Sequence, residues 1–127
     1  MPYDPARAPI TPATDQERTW ATLTHLLSAA LSVATPVPGI IVAVIFWLIR
    51  KDESTFLDDH GREAVNFWIS VLIYSLVIIP LVTVLSCGVG ALLYIPMFIV
   101  ALIAVIQATM AANRGEFYRY PMTIRLI

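Results

Sequence analysis

Of the 127 residues, 58% are hydrophobic and 13% are charged, whereas an average globular protein has about 25% charged residues. This composition indicates a protein that resides in lipid rather than in water. The formal net charge of −1 gives no reason to expect nucleic-acid binding, which normally requires a basic face or tail, so we expect no nucleic-acid partner. The single cysteine, Cys87, excludes an intramolecular disulfide and is interpreted as a small packing residue.

Charged residues are missing from two long stretches of the chain. No Asp, Glu, Lys or Arg occurs in residues 19–49 or in residues 64–113. The hydrocarbon core of a bilayer is about 30 Å thick and needs roughly 20 apolar residues per helix. Each stretch is therefore longer than one membrane span requires, and each is predicted to hold two helices.

The N-terminal part is predicted to form a tail followed by the first helix. Residues 1–13 contain four prolines and little that could be buried, so we expect a disordered tail without a cleavable signal peptide. Thr14 and Glu17 have the spacing of a capping box, which marks a helix start. Residues 14–35 should be helical, because Pro36 cannot continue an unbroken helix.

The second predicted helix, residues 37–50, is short for a membrane span. Its apolar run, residues 40–49, covers about 15 Å, and the charged residues 50–53 end it. Snorkelling of Arg50 and Lys51, or local thinning of the bilayer, would absorb the mismatch. A re-entrant segment is the alternative.

The third predicted helix, residues 55–85, is long. Thr55 with Asp58 three positions later offers a capping signal at its start. Pro80 should kink the helix, a deformation that membrane helices tolerate. Residues 86–90 are uncharged and should form a flexible turn.

The fourth predicted helix, residues 91–113, is followed by a segment of different composition. Gly115 is placed to end the helix in the left-handed conformation. Residues 114–127 mix basic side chains with aromatic ones such as Tyr118 and Tyr120, which is typical of the headgroup level of a membrane. We expect an interfacial C-terminal segment.

The charge pattern predicts a topology with both termini on one side. With four spans, all basic residues fall on one face, and the positive-inside rule places that face in the cytoplasm. Three spans would put the N-terminal and central charged clusters on opposite sides. The predicted fold is therefore an all-α integral membrane protein of the cytoplasmic (inner) membrane, a four-helix bundle (residues 14–113) of two transmembrane hairpins.

Several segments together resemble a family of small bacterial membrane proteins of unknown function. That family is distantly similar to the channel-like membrane subunit of the chloroplast inner-envelope protein-import translocon (Tic). The resemblance covers most of the chain from Glu17 onward and is carried by residues 17–21, 23, 25–26, 47, 51–54, 58–67 and 115–121. It implies a compact four-helix membrane protein with a protein-conducting or scaffolding relative, and it brings no catalytic residue set.

Polar residues inside the neutral stretches are candidates for function. His25 lies in the middle of the first helix, where an ionisable residue indicates a proton relay, a pore lining or a hydrogen bond to a neighbouring helix. A second stripe on the third helix contains Asn66, Ser70 and Tyr74, and Gln107 adds a polar group on the fourth helix. These groups would line a hydrated pathway or pair with one another across the bundle.

Two charged motifs are predicted at the cytoplasmic face. The first comprises Asp58, Asp59, His60, Gly61, Arg62 and Glu63, and the second comprises Gly115, Glu116, Tyr118, Arg119, Tyr120 and Pro121. His60 and Glu63 share a helix face, as two metal ligands must, but no third ligand is evident and no metal is predicted. Helix capping and ion pairs of Asp58 and Asp59 with Arg62 are the alternative, and we favour it.

No catalytic motif is present in the sequence. It lacks a glycine-rich phosphate loop, a nucleophile elbow and an ordered Ser, His and Asp set, so we expect neither an enzyme nor a cofactor. The leading hypothesis is an interaction or accessory protein, or a translocon-like component, with a protein partner or a second copy in the bilayer. The alternative is a small transporter or channel subunit with a polar, helix-lined pathway.

Overall fold

The structure is a computed structural model that describes residues 12–127, so most of the predicted tail lies outside the described residues. Within them the chain is all-helical, as predicted. The four helices are α1 (Asp15–Leu31), α2 (Val37–Arg50), α3 (Thr55–Leu85) and α4 (Val89–Asn113). They form two helical hairpins, α1–α2 and α3–α4.

The α1–α2 hairpin follows its local sequence signals. The capping box is confirmed, because Oγ1 of Thr14 accepts from the Glu17 amide and the Glu17 carboxylate accepts from the Thr14 amide, each at 3.1 Å. The helix ends at Leu31 rather than at residue 35. The Ser32 amide donates to the carbonyl of Ala29, which tightens the last turn, and Pro36 disfavours helical backbone in the residue before it.

Helix α3 differs from expectation at its cap and near Pro80. Ser54 caps the helix instead of Thr55, and its hydroxyl accepts from the Leu57 amide at 3.2 Å. Just before Pro80 the helix widens into a π-helical turn, Tyr74–Ile78. Proline lacks an N–H and its ring crowds the carbonyl four residues earlier, and a wider turn relieves both problems.

Helix α4 begins with a tight 3-10 turn, Val89–Leu93, two residues before the predicted start. Its C-terminus confirms the predicted left-handed glycine: Gly115 has φ +76°, and the Glu116 amide donates to the Ala111 carbonyl as in a Schellman motif. Cys87, in the α3–α4 turn, is exposed, so its interpretation as a packing residue is wrong.

Small residues let the helices approach one another closely. The buried alanines are Ala21, Ala43, Ala64, Ala104, Ala108, Ala111 and Ala112. At Gly61 the approach is close, because a Cβ there would lie only 2.6 Å from Cβ and 2.7 Å from Cγ of Trp47. The α2–α3 contact therefore depends on a glycine at this position.

Large apolar side chains cover the outside of both hairpins. Among residues 12–127, α3 and α4 are the two helices that are long and apolar enough to cross a membrane, and only 17% of the most apolar window of each is buried in the protein. Helices α1 and α2 are shorter, with 17 and 14 residues. The apolar residues of α3 and α4 thus face mainly outward.

The close contact at Gly61 predicts a specific loss of stability. Gly61→Ala should lower the free energy of unfolding by about 1–3 kcal/mol, because the added methyl group overpacks against Trp47. Unfolding of the purified protein in detergent, followed by circular dichroism, measures this change. Ala30→Ser, at an exposed position of α1, is the control and should change little. An unchanged midpoint for Gly61→Ala would contradict the packing described.

Candidate functional site

The C-terminal residues 116–127, which we call the strap, form an irregular segment that lies along α3. The strap leaves α4 at Gly115 and runs along α3 as far as Tyr74. At Met122, which has φ +55°, it reverses and returns toward Asn66. The predicted interfacial segment is thus packed against the helical bundle.

Polar side chains of α3 bind the backbone of the strap. Oε2 of Glu63 accepts from the Tyr120 amide at 3.0 Å. Oδ1 of Asn66 accepts from the amides of Leu126 and Ile127, each at 3.0 Å. One amide side chain therefore satisfies two consecutive N–H groups of the strap.

The same stripe continues one and two turns further along α3. Oγ of Ser70 accepts from the Ile124 amide at 2.7 Å and donates to the Asn66 carbonyl at 2.8 Å. The Tyr74 hydroxyl donates to the Met122 carbonyl at 2.6 Å, at the tip of the strap. These bonds give partners to backbone groups of the strap that lie beside apolar residues.

The predicted polar stripe therefore faces the strap. Asn66 and Ser70 are 1% and 2% exposed, so the strap covers the side of α3 on which a hydrated pathway would have to run. Gln107 does not join them, because its Oε1 accepts from the Tyr118 hydroxyl at 3.0 Å on the exposed surface of α4.

Two histidines and a tyrosine form a buried chain of hydrogen bonds across α1, α3 and the strap. Nε2 of His25 lies 2.9 Å from Nδ1 of His60, and Nδ1 of His25 lies 2.7 Å from the Tyr120 hydroxyl. Nε2 of His60 lies 2.8 Å from the carbonyl oxygen of Glu116. All three rings are 2% exposed or less.

The chemistry of the acceptors assigns the protons in this chain. The Glu116 carbonyl can only accept, so Nε2 of His60 carries a proton. In a neutral ring Nδ1 of His60 then accepts from Nε2 of His25, which leaves Nδ1 of His25 to accept from the Tyr120 hydroxyl. Each of the four ring nitrogens has a partner only when every donor in the chain points from Tyr120 toward Glu116.

Tyr120 is the point where the strap enters the core. Its ring stacks on Phe67 at 4.1 Å between centroids. Burial, with further effects of Tyr118 and the Glu63 carboxylate, raises the pKa of Tyr120 well above its ordinary value. The hydroxyl therefore keeps its proton and is a donor to His25.

Ion pairs fix the strap at the charged end of the bundle. Arg119 binds Asp59 through two parallel bonds of 2.7 and 2.8 Å. The predicted pairing of Asp59 with Arg62 is wrong, because Asp59 pairs with Arg119 of the strap instead. Asp58 does pair with Arg62, at 3.1 Å, and also accepts from the Trp47 ring nitrogen at 2.8 Å.

His60 and Glu63 do not converge on one point. Both ring nitrogens of His60 are engaged, whereas the Glu63 carboxylate faces the Tyr120 amide and lies 3.6 Å from Arg125. No group of three or more His, Cys, Asp or Glu side chains in residues 12–127 is arranged to hold a metal ion.

Comparison with protein families identifies the chain's relatives. The model of the Magnetosome magnetite crystal formation protein family matches residues 16–127. The chain belongs to this family. No curated protein and no solved structure matches it.

The family match changes one expectation from the sequence. The match confirms a small bacterial family, and its description concerns magnetite crystals rather than protein import. None of the three comparisons supports the expected similarity to the Tic subunit. The matched region contains α1 to α4 and the complete strap, so the site described here lies within the family region.

Sequence reasoning selected most residues of this site but missed their partners. The partners of His25 and Asp59 are Tyr120 and Arg119, which lie 95 and 60 residues away along the chain. One signal in the sequence could have indicated these partners. A buried histidine has two ring nitrogens that need hydrogen-bond partners, and the C-terminal segment is rich in polar groups that could supply them.

Substitution of Asn66 should release the strap. Asn66→Leu leaves the Leu126 and Ile127 amides without this acceptor, and each lost hydrogen bond should cost about 0.5–1.5 kcal/mol. We expect trypsin to cut after Arg119 and Arg125 at least about ten-fold faster, because the strap opens more often. Gln107→Ala is the control, since it removes one side-chain bond to the strap but leaves the bonds to the strap backbone intact. Equal cleavage of the two variants would contradict the role of Asn66.

The histidine chain predicts a measurable coupling between His25 and Tyr120. His25→Leu and Tyr120→Phe should each destabilise the protein by about 1–3 kcal/mol, because each leaves a buried polar group unpaired. The double variant should lose at least about 1 kcal/mol less than the sum. Denaturation with sodium dodecyl sulfate measures all three, with Tyr118→Phe as the control, because the Tyr118 hydroxyl bonds to the exposed Gln107 side chain. Strict additivity would show that the two side chains are not bonded.

Proposed function

We propose that this chain is an integral membrane protein that acts as an accessory protein in magnetite crystal formation, within the magnetosome membrane. The match to the magnetosome family over residues 16–127 supports the process, and the outward-facing apolar surface of α3 and α4 supports the membrane. The apolar surface of α3 and α4 carries the proposal that this is a membrane protein, because exposed apolar helices of this length are stable only in lipid or when covered by a partner.

A belt of aromatic and basic residues marks one edge of the apolar region. The guanidinium of Arg50 lies 5.1 Å from the centre of the Trp20 ring, and Nζ of Lys51 lies 5.1 Å from that of Trp47. This combination is typical of the membrane interface. Trp47 packs on Gly61, so we place the near edge of the hydrocarbon core at Gly61 of α3.

The length of α3 beyond this belt matches one crossing of the bilayer. From Gly61 to the end of α3 at Leu85 the helix rises about 36 Å, and the hydrocarbon core is about 30 Å thick. A tilt of about 30° accommodates the difference and lies in the usual range. The α3–α4 hairpin is therefore proposed to span the membrane.

The α1–α2 hairpin is too short to reach the other side. Residues 32–36, at its tip, line a cavity of about 300 Å³ together with Val71 and Ser75 of α3. The tip thus lies about 21 Å past Gly61 along α3 at most, which at a tilt of about 30° is a depth of about 18 Å, little more than half of the core. This favours a re-entrant α1–α2 hairpin over two spanning hairpins. The re-entrant alternative predicted for the second helix then applies to both helices of the hairpin.

The proposed orientation follows from the charges. The basic residues of the described chain lie at the end that carries the N-terminus of α1, the α2–α3 loop and the strap. The positive-inside rule places this end in the cytoplasm, and the uncharged α3–α4 turn lies on the other side. Exposed charges such as those of Asp15, Glu53 and Glu116 then face the cytoplasm, where a protein partner or a second copy can bind.

Labelling of single cysteines tests the topology. A membrane-impermeant thiol reagent should reach the native, exposed Cys87 only from the non-cytoplasmic side. In a Cys87→Ser background, Asp52→Cys should be labelled only from the cytoplasmic side. Labelling of both positions from the same side would refute the spanning α3–α4 hairpin.

Crystal size in a magnetite-forming host tests the function. Deletion of the gene should change the number, size or shape of the crystals seen by electron microscopy. Reintroduction of the wild-type gene or of the Gln107→Ala variant should restore the original crystals. The Asn66→Leu variant should restore them only in part, because its strap is released. Unchanged crystals after deletion would refute the proposed function.

A further inference from the structure

The protein is wide in one half of the bilayer and narrow in the other. On the near side of Ser75, α3 and α4 are accompanied by α1, α2 and the strap. Both accompanying elements end near this level, because the α1–α2 tip lines a cavity with Ser75, while the strap tip bonds to Tyr74 and lines a second cavity with Ile78 and Ile79. The two elements thus stop within about one helical turn of each other along α3.

Beyond Ser75, α3 and α4 pair mainly with each other. The Tyr94 hydroxyl donates to the Ser75 carbonyl at 2.6 Å, and Gly90 packs against the backbone of Val82 and Thr83. The outward side chains here are strongly exposed, with Val84 at 76%. The far part of the molecule is a bare two-helix hairpin.

The depth of the step matches the thickness of one leaflet. From Ser75 to Leu85 the helix rises about 15 Å. Half of a hydrocarbon core is about 15 Å. The step in width therefore falls close to the bilayer midplane, and acyl chains of the far leaflet fill the space on both sides of α3 and α4.

We propose that the protein is a wedge that prefers, and at high density produces, membrane that is convex on the side of the strap. Five chain elements displace lipid in the near leaflet and only two helices do so in the far leaflet. This difference expands the near leaflet relative to the far one, and the bilayer bends so that the near leaflet is on the outside. The partner is a lipid surface of high curvature.

The direction of the curvature fits the proposed function, on which this inference rests. With the strap in the cytoplasm, the near leaflet is the cytoplasmic one. A leaflet that is convex toward the cytoplasm is the outer leaflet of a small vesicle inside the cell. The wedge would therefore concentrate the protein on small vesicles or help to shape them.

Reconstitution into vesicles of two sizes tests the wedge. The purified full chain is co-reconstituted into phosphatidylcholine–phosphatidylglycerol vesicles of about 30 nm and about 400 nm diameter, and orientation is read from labelling of Cys87 by an impermeant thiol reagent. In small vesicles the strap should face outward in most copies, so the labelled fraction should fall at least about two-fold relative to large vesicles. Total Cys87 after detergent lysis normalises the result.

Paired variants at lipid-facing positions test the physical cause. Val77→Trp with Val84→Trp widens the far half, and the labelled fraction should then depend less on vesicle size. Ile41→Trp with Ile45→Trp widens the near half by the same means and should preserve or increase the dependence. All four positions are about half exposed or more, so neither pair disturbs the core.

The outcomes separate this inference from the proposed function. Protein that floats with the vesicles and resists alkaline extraction, but shows the same labelled fraction in both sizes, refutes the wedge and leaves the membrane protein intact. Equal responses of the two variant pairs also refute it. Protein that does not insert refutes both proposals.

Discussion

Backbone hydrogen bonds of the strap to the polar stripe of α3 are the constraint on which the rest of this structure depends. An irregular segment beside apolar helices has N–H and C=O groups that neither water nor a helix satisfies, and leaving them unpaired is costly. Asn66, Ser70 and Tyr74 supply the missing partners. These polar residues are therefore needed inside an otherwise apolar helix.

The position of the strap in turn fixes the other helices. Glu63 holds the amide of Tyr120, whose hydroxyl donates to His25 on α1, while the Glu116 carbonyl fixes the tautomers of both histidines. Arg119 closes the same region through Asp59. The charged end of the molecule is thus one connected network in which α1, α3 and the strap stabilise one another, and a change in the strap reaches the α1–α2 hairpin through the histidines.

This arrangement connects the fold to the proposed role in magnetite crystal formation. The polar side chains that could have served chemistry or conduction bind the strap, and the remaining surface is an apolar band with a charged rim. Such a surface acts through lipid and through partners. The step in width at Ser75 adds a geometric property, because the elements of the near half are the strap and the hairpin that the buried network holds in place.

The sequence by itself determined the helices and the cap residues at two of their ends. Charge-free stretches, prolines and capping residues act within a few positions of the chain, so the capping box at Thr14 and the left-handed Gly115 could be predicted. The tertiary structure alone decided the path of the strap, the Asp59–Arg119 pair and the His25–His60–Tyr120 chain. These contacts join residues 35 to 95 positions apart, and no local pattern specifies which of several polar groups will meet once the helices pack.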